Sequence, residues 1–112
     1  MLNQVVLVGR LTQDPEVVTL EGGHKKSSFN VAVQRSYKNQ NGEYESDFIR
    51  CILWDAIATS TSEYCKKGDI VGIKGRIQVT QYEQNNEKKY LTEVVAEKVT
   101  FLSSKKEEEK EE

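Results

Sequence analysis

The residues best suited to chemistry in this sequence are its aromatics and cations. In the run DFIRCILW, residues 47–54, Phe48, Arg50, Ile52 and Trp54 share one parity. Ile49, Cys51 and Leu53 share the other. On a strand the two sets point to opposite faces. The second set is an ordinary core face. The first joins two large rings to a guanidinium, with none of the small polar residues of a wet surface. Such rings can stack on nucleobases whatever the sequence, at roughly 1–3 kcal/mol per base. Tyr37 sits beside Lys38 where a hairpin opens, and Tyr82 ends the polar face of a later strand that carries Lys74 and Arg76. Arg35, Lys38, Arg50, Lys74 and Arg76 are the candidate phosphate or cation–π contacts. A plainer reading stands beside each. Phe48 or Trp54 can be barrel core or a subunit seam, and Arg35 can simply pair with a neighbouring carboxylate. Tyr44, Tyr64 and Tyr90 are expected to pack. Lys66, Lys67, Lys88 and Lys89 are expected to be solvated charge.

Catalytic patterns are missing from the sequence. GDIVGIKGR has glycines at 68, 72 and 75 but lacks the Gly-Lys-Ser/Thr ending of a phosphate loop, and it lies within a strand pattern. The only histidine, His24, falls in the turn EGGHKK, so no Ser/His/Asp or Cys/His arrangement forms around it. No CxxC pair exists, which argues against a metal site. The expectation is a binding protein that is not an enzyme and needs no cofactor or metal. Cys51 and Cys65 read as buried free thiols of a reducing compartment. No apolar run is long enough to cross a bilayer, and MLNQVVLVGR lacks the basic start and cleavage site of a signal peptide. Cytoplasmic localisation is expected.

The chain has 112 residues and a net charge of −2. Its tail SSKKEEEKEE, 103–112, holds three Lys and five Glu. Without it, 13 basic and 13 acidic groups remain. The body is therefore neutral and lacks the basic footprint of a duplex binder. A nucleic-acid ligand would be held more by stacking than by counterion release.

Five strands and one helix must position these groups. The first strand, about Asn3 to Leu11, is apolar on both faces, so a second subunit is expected to cover one of them. Gly9 within it predicts a bulge or tight bend. After TQDPE, a short extended piece from Val17 to Leu20 leads to a Gly22-Gly23 turn. The second strand, Lys26 to Arg35, has Phe29, Val31 and Val33 on its core face. Asn41-Gly42 is a hairpin signal, and DFIRCILW follows. The helix DAIATSTSEYCKKG is expected to be capped by Asp55 and closed by Gly68. Lys66 and Lys67 would face the helix dipole, and Ile57, Tyr64 and Cys65 would plug the barrel. The fourth strand, Ile70 to Tyr82, points Val71, Ile73, Ile77 and Val79 one way. EQNNEKK turns into a fifth strand from Lys89 to about Leu102. This order predicts an all-β OB-fold, a five-stranded Greek-key barrel with its helix between strands three and four. A five-stranded sandwich or SH3-like barrel would leave that helix unexplained. The domain spans 1–102, followed by a charged, disordered tail, 103–112.

Four segments, NQVVLVGRLTQDPEV, DFIRCILW, EYCKKGDIVGIKGRIQ and YLTEVVAEKVTFL, occur in the order and spacing of one family. Together they resemble the bacterial single-stranded DNA-binding proteins, from Met1 to about Leu102. The resemblance implies a homotetramer wrapped by single-stranded DNA, active in replication, recombination, repair or DNA uptake. It places the family's stacking aromatics on Tyr37, Phe48, Trp54 and Tyr82. Many members carry tryptophan at three of these four positions, whereas this chain does so only at Trp54. Housekeeping members also end in an acidic tip closing on Pro-Phe that recruits partners. This sequence ends in KEEEKEE, without that apolar anchor. It looks more like a short auxiliary form, such as the tail-less second member of competent Gram-positive bacteria or one from a phage or mobile element, with a truncated C-terminus as the alternative. The rival reading from another class is an OB-type adaptor that binds protein, with Trp54 at an interface.

Overall fold

Alternating apolar residues on five long strands can be buried together only if the sheet curls round on itself. The computed structural model, which describes residues 1–104, shows that closure. Strand β1 (Val5–Leu11) precedes a two-residue β2 (Val18–Thr19), β3 (Lys25–Lys38) and β4 (Tyr44–Trp54). Helix α1 (Asp55–Tyr64), β5 (Ile70–Gln84) and β6 (Glu87–Ser103) complete it. The pairings run β1–β5–β6–β4–β3 and return from β3 to β1, with β2 an appendage of β3. The β4–β6 pair is parallel, Cys51 opposite Val94 and Ile52 opposite Val95, and every other pair is antiparallel. Parallel neighbours need a long crossover. It is supplied by α1 and β5. This is the OB-fold, a closed five-stranded barrel with one helix after the DFIRCILW strand.

The core is built from Leu11, Phe29, Val31, Cys51, Leu53, Val71, Ile73 and Val94, with Ala58 and Cys65 closing one end. Burial pushes the Cys51 thiol up to about 12 and raises that of Cys65, where the Asp69 charge adds to the effect. Both cysteines are free thiols, as the sequence suggested. Gly9 carries no bulge, because β1 keeps one register against β5 from Val5 to Arg10. A Cβ there would lie 2.5 Å from the Val31 side chain. The glycine is needed for the close approach of β1 to β3 that shuts the barrel. Register shifts fall elsewhere, at Gln34/Lys38, Ile70/Val71 and Lys74/Gly75.

The helix departs from its predicted caps. Asp55 takes a left-handed φ of 52° and does not cap. Its carboxylate instead accepts the Lys25 N–H at 3.0 Å and lies 3.4 Å from His24 Nδ1. It thereby ties the β2–β3 turn to the start of the helix. The helix stops at Tyr64, so Lys66, Lys67 and Gly68 lie beyond it. Gly68, at φ 92°, donates its N–H to the Leu11 carbonyl and anchors the turn into β5. Ala58 and Thr61 are the buried helix residues, and Tyr64 is 75 % exposed rather than a plug. Tyr44 and Tyr90 are also exposed, against the packing expected of them.

Both long hairpins outrun the barrel. On β5 only Val71 and Ile73 of the predicted apolar row are buried, while Ile77 and Val79 are exposed on the extension. Asn85 and Asn86, both at positive φ, make the tight two-residue turn. In the other hairpin only Gly42 of Asn41-Gly42 has positive φ, and the loop spans Asn39 to Glu43. The Asn39 side chain organises it by accepting the N–H groups of Asn41 and Glu43. Asn3 continues β1 by side-chain mimicry. Its amide donates to the Ile77 carbonyl and accepts the Ile77 N–H, each at 2.8 Å. Strand β6 runs through Ser103, where the tail was expected to start. Residues 105–112 of that tail lie outside the described residues.

Candidate nucleic-acid interface

The outer faces of β3, β4, β6 and β5 form one continuous surface, and the register fixes its rows. Lys26 lies opposite Trp54, Ser28 opposite Ile52, Asn30 opposite Arg50, and Ala32 opposite Phe48. Across the parallel pair Ile52 faces Val95, which in turn faces Arg76. Ile52 and Val95 are buried, yet stand outside the main core cluster. They form an apolar seam in the outer face, worth roughly 1.5–3 kcal/mol for each side chain. This accounts for the apolar residue between Arg50 and Trp54. It supports the surface instead of belonging to the barrel interior.

The rings flank that seam. Phe48 is 67 % exposed and Trp54 39 %, so neither is barrel core. The Lys26 ammonium lies 5.4 Å from the Trp54 ring centroid. One cation is thus already in place on the indole, worth about 0.5–1 kcal/mol at an exposed site. Lys26 was absent from the sequence candidates. Its placement depends on the β3–β4 register, which the hairpin signal alone does not give. Tyr37 and Lys38 stand near the tip of the β3–β4 hairpin, with the Lys38 ammonium 5.6 Å from the Tyr44 ring. Tyr82 stands on the β5–β6 extension, opposite Lys89. Because β4 and β6 are parallel, both hairpins leave the barrel at the same end.

The cations fall into different environments. Arg35 is held by Asp47, with Nη2–Oδ1 at 2.8 Å and Nε 3.2 Å from both carboxylate oxygens, and by Glu45 at 2.7 Å. The Asp47 hydrogen bond and charge raise the Arg35 pKa still further, and the Arg35 bond lowers that of Asp47. Arg50 donates from Nε to Glu93 at 2.7 Å. Arg76 donates to the Gln78 side chain at 2.9 Å and stays exposed. Lys74 stands apart, in a row between Val6 of β1 and Lys98 of β6. The structure therefore gathers Phe48, Arg50, Trp54 and Arg76 on one face. It places Tyr37, Lys38, Arg35 and Tyr82 on the two extensions, and Lys74 towards β1. Among the described residues no group of three or more His, Cys, Asp or Glu side chains could hold a metal ion. No helix among them is long and apolar enough to cross a membrane.

Comparison with known proteins identifies the family of the chain. A "Single-stranded DNA-binding protein 3" of Listeria innocua is 48% identical over 106 residues, covering 94% of this chain and 66% of its own length. A "Single-stranded DNA-binding protein" of Lactiplantibacillus plantarum is 46% identical over 111 residues, covering 98% and 56%. A "Single-stranded DNA-binding protein 1" of Lactococcus lactis is 48% identical over 107 residues, covering 95% and 71%. The chain thus spans about two thirds of the length of such relatives. The model of the single-strand binding protein family matches residues 2–102. With that match across the whole barrel, the chain belongs to the single-strand binding protein family.

Proposed function

We propose that this protein binds single-stranded DNA irrespective of sequence, laying the strand over the outer face of β3, β4, β6 and β5. The observation that carries the reading is the exposure of Phe48 and Trp54 beside a buried Ile52–Val95 seam, with Lys26 on the indole. A folded chain gains little by displaying two such rings to water. It gains more if bases cover them. Trp54 and Phe48 take bases at the centre of the face. Tyr37 and Tyr82 extend the path along the hairpins. Lys38 accompanies the backbone there and Arg76 does so on the central face, Lys74 extends the cationic surface towards β1, and Arg35 and Arg50 act from within their ion pairs. The role is protection of single strands during replication, recombination, repair or uptake, in the cytoplasm, without catalysis.

Self-association belongs to the same reading. Strand β1 hydrogen-bonds β5 along Val5–Arg10 but meets β3 only at Arg10 and Leu11. Its second edge from Val5 to Gly9 has no strand partner among the described residues, and Val6 and Val8 are exposed on its outer face. Where β1 and β3 splay, Val8, Arg10, Ala32, Gln34 and Ser46 line an open groove. A second copy offers a strand and an apolar face to match, and four copies complete the expected tetramer.

The test is alanine substitution read by oligo-dT affinity and by light scattering together. Trp54→Ala and Phe48→Ala are each expected to cost about 1–3 kcal/mol, roughly five- to hundredfold, with the oligomer unchanged. Loss of the oligomer with DNA affinity intact would instead make Trp54 an interface residue of an adaptor.

A further inference from the structure

A buried carboxylate in the middle of a face meant for polyphosphate is unexpected. The Glu93 side chain is only 9% exposed, against 40% for Arg50. One Glu93 oxygen, Oε2, accepts Arg50 Nε at 2.7 Å, and the other, Oε1, accepts the Thr80 hydroxyl at 3.2 Å. Arg50 is bound along one edge only, since its terminal nitrogens make no hydrogen bond among the described residues. It stands between Phe48 and Trp54 on β4.

We propose that Glu93 is a positioning residue for single-strand binding, holding the Arg50 guanidinium between the two rings as a neutralised plane. The inference rests on the proposed DNA-binding reading. A guanidinium whose charge is already met by a carboxylate at 2.7 Å neutralises little of a phosphate, and so releases little of the counterion condensed on the strand. The planar group remains available to stack on a base and to donate from its free terminal nitrogens. Glu93 thereby assigns this point of the surface to bases, and leaves phosphates to cations such as Lys38 and Arg76, which have no carboxylate partner among the described residues.

Counterion release separates this role from simple repulsion. For single strands the slope of log K against log salt is about −0.7 per phosphate neutralised. Oligo-dT affinity is measured from low to high salt for the wild type, Glu93→Gln, Arg50→Met and the double variant. Glutamine keeps the size of the side chain but not its charge, so Glu93→Gln is expected to steepen the slope by about 0.7. Arg50→Met is expected to weaken binding without changing the slope. In the Arg50→Met background, Glu93→Gln is expected to leave the slope unchanged, because no guanidinium remains to be freed for a phosphate, while removal of the unpaired carboxylate raises affinity. An unchanged slope in Glu93→Gln overturns the proposal. So does an equal change of slope on Glu93→Gln with and without Arg50, which would make Glu93 merely a repelling charge. If Glu93→Gln does not fold, Arg50→Met decides alone, and a slope shallower by about 0.7 overturns the proposal. Failure of the wild type to bind oligo-dT at all overturns the DNA-binding reading itself.

Discussion

Asp55 shows how much one side chain does when it leaves its expected task. An aspartate before a helix ordinarily caps it, yet this one accepts the Lys25 N–H and approaches His24. Those contacts hold its carboxyl below the usual carboxylate range, the Lys25 bond chiefly and His24 next. A depressed folded pKa means stability that is present above the unfolded value, near 3.9, and lost as pH falls through the folded one. Asparagine suits the left-handed φ of 52° and keeps an acceptor, but cannot ionise. Asp55→Asn is therefore expected to melt below the wild type near neutral pH. The gap should close as pH falls below about 4, because protonation then makes the two side chains alike. Thermal melts across that range check it, and a gap independent of pH would contradict the assignment.

At the level of elements, the bulge between β5 and β6 is what turns two long strands around the barrel. Lys74 faces Lys98 and Gly75 faces Ala96, so Glu97 is the extra residue. A Cβ on Gly75 would run into the Val95 backbone carbonyl. Gly75→Ala is expected to cost about 1–3 kcal/mol through overpacking, read as a fall of several degrees in Tm. An unchanged Tm would mean that the crossing is slack. The element order, the hairpins and the β4 faces were legible in the sequence, because strict alternation and turn residues encode them locally. The helix ends were not. Asp55 and Gly68 have the composition of caps, but tertiary partners, Lys25 and Leu11, claim them. The exposure of Tyr44, Tyr64 and Tyr90 depends on how far the hairpins and the helix end project, which alternation does not report. Phe48 and Trp54 could be read from parity, Tyr82 from the end of a polar strand face and Tyr37 from the mouth of a hairpin. Lys26 and Glu93 could not, since each acquires its role only from a residue on another strand.

The whole molecule combines a neutral body with a surface that is cationic only in places. Its open β1 edge and exposed Val6 and Val8 lead to an expectation about assembly. Val8→Asp is expected to keep the fold, because the site is exposed in the single chain, and to shift light scattering from tetramer towards smaller species. A wild type that is monomeric at micromolar concentration would contradict the assembly. The central claim is that single strands bind by stacking on the outer face of β4. Trp54 is the only tryptophan of the chain, so its fluorescence reports that face alone. The direct measurement is a titration with oligo-dT beside one with duplex DNA of equal length. Strong, saturable quenching by oligo-dT and little response to duplex is the predicted result. Unchanged fluorescence, with no gel shift on oligo-dT, would contradict the claim.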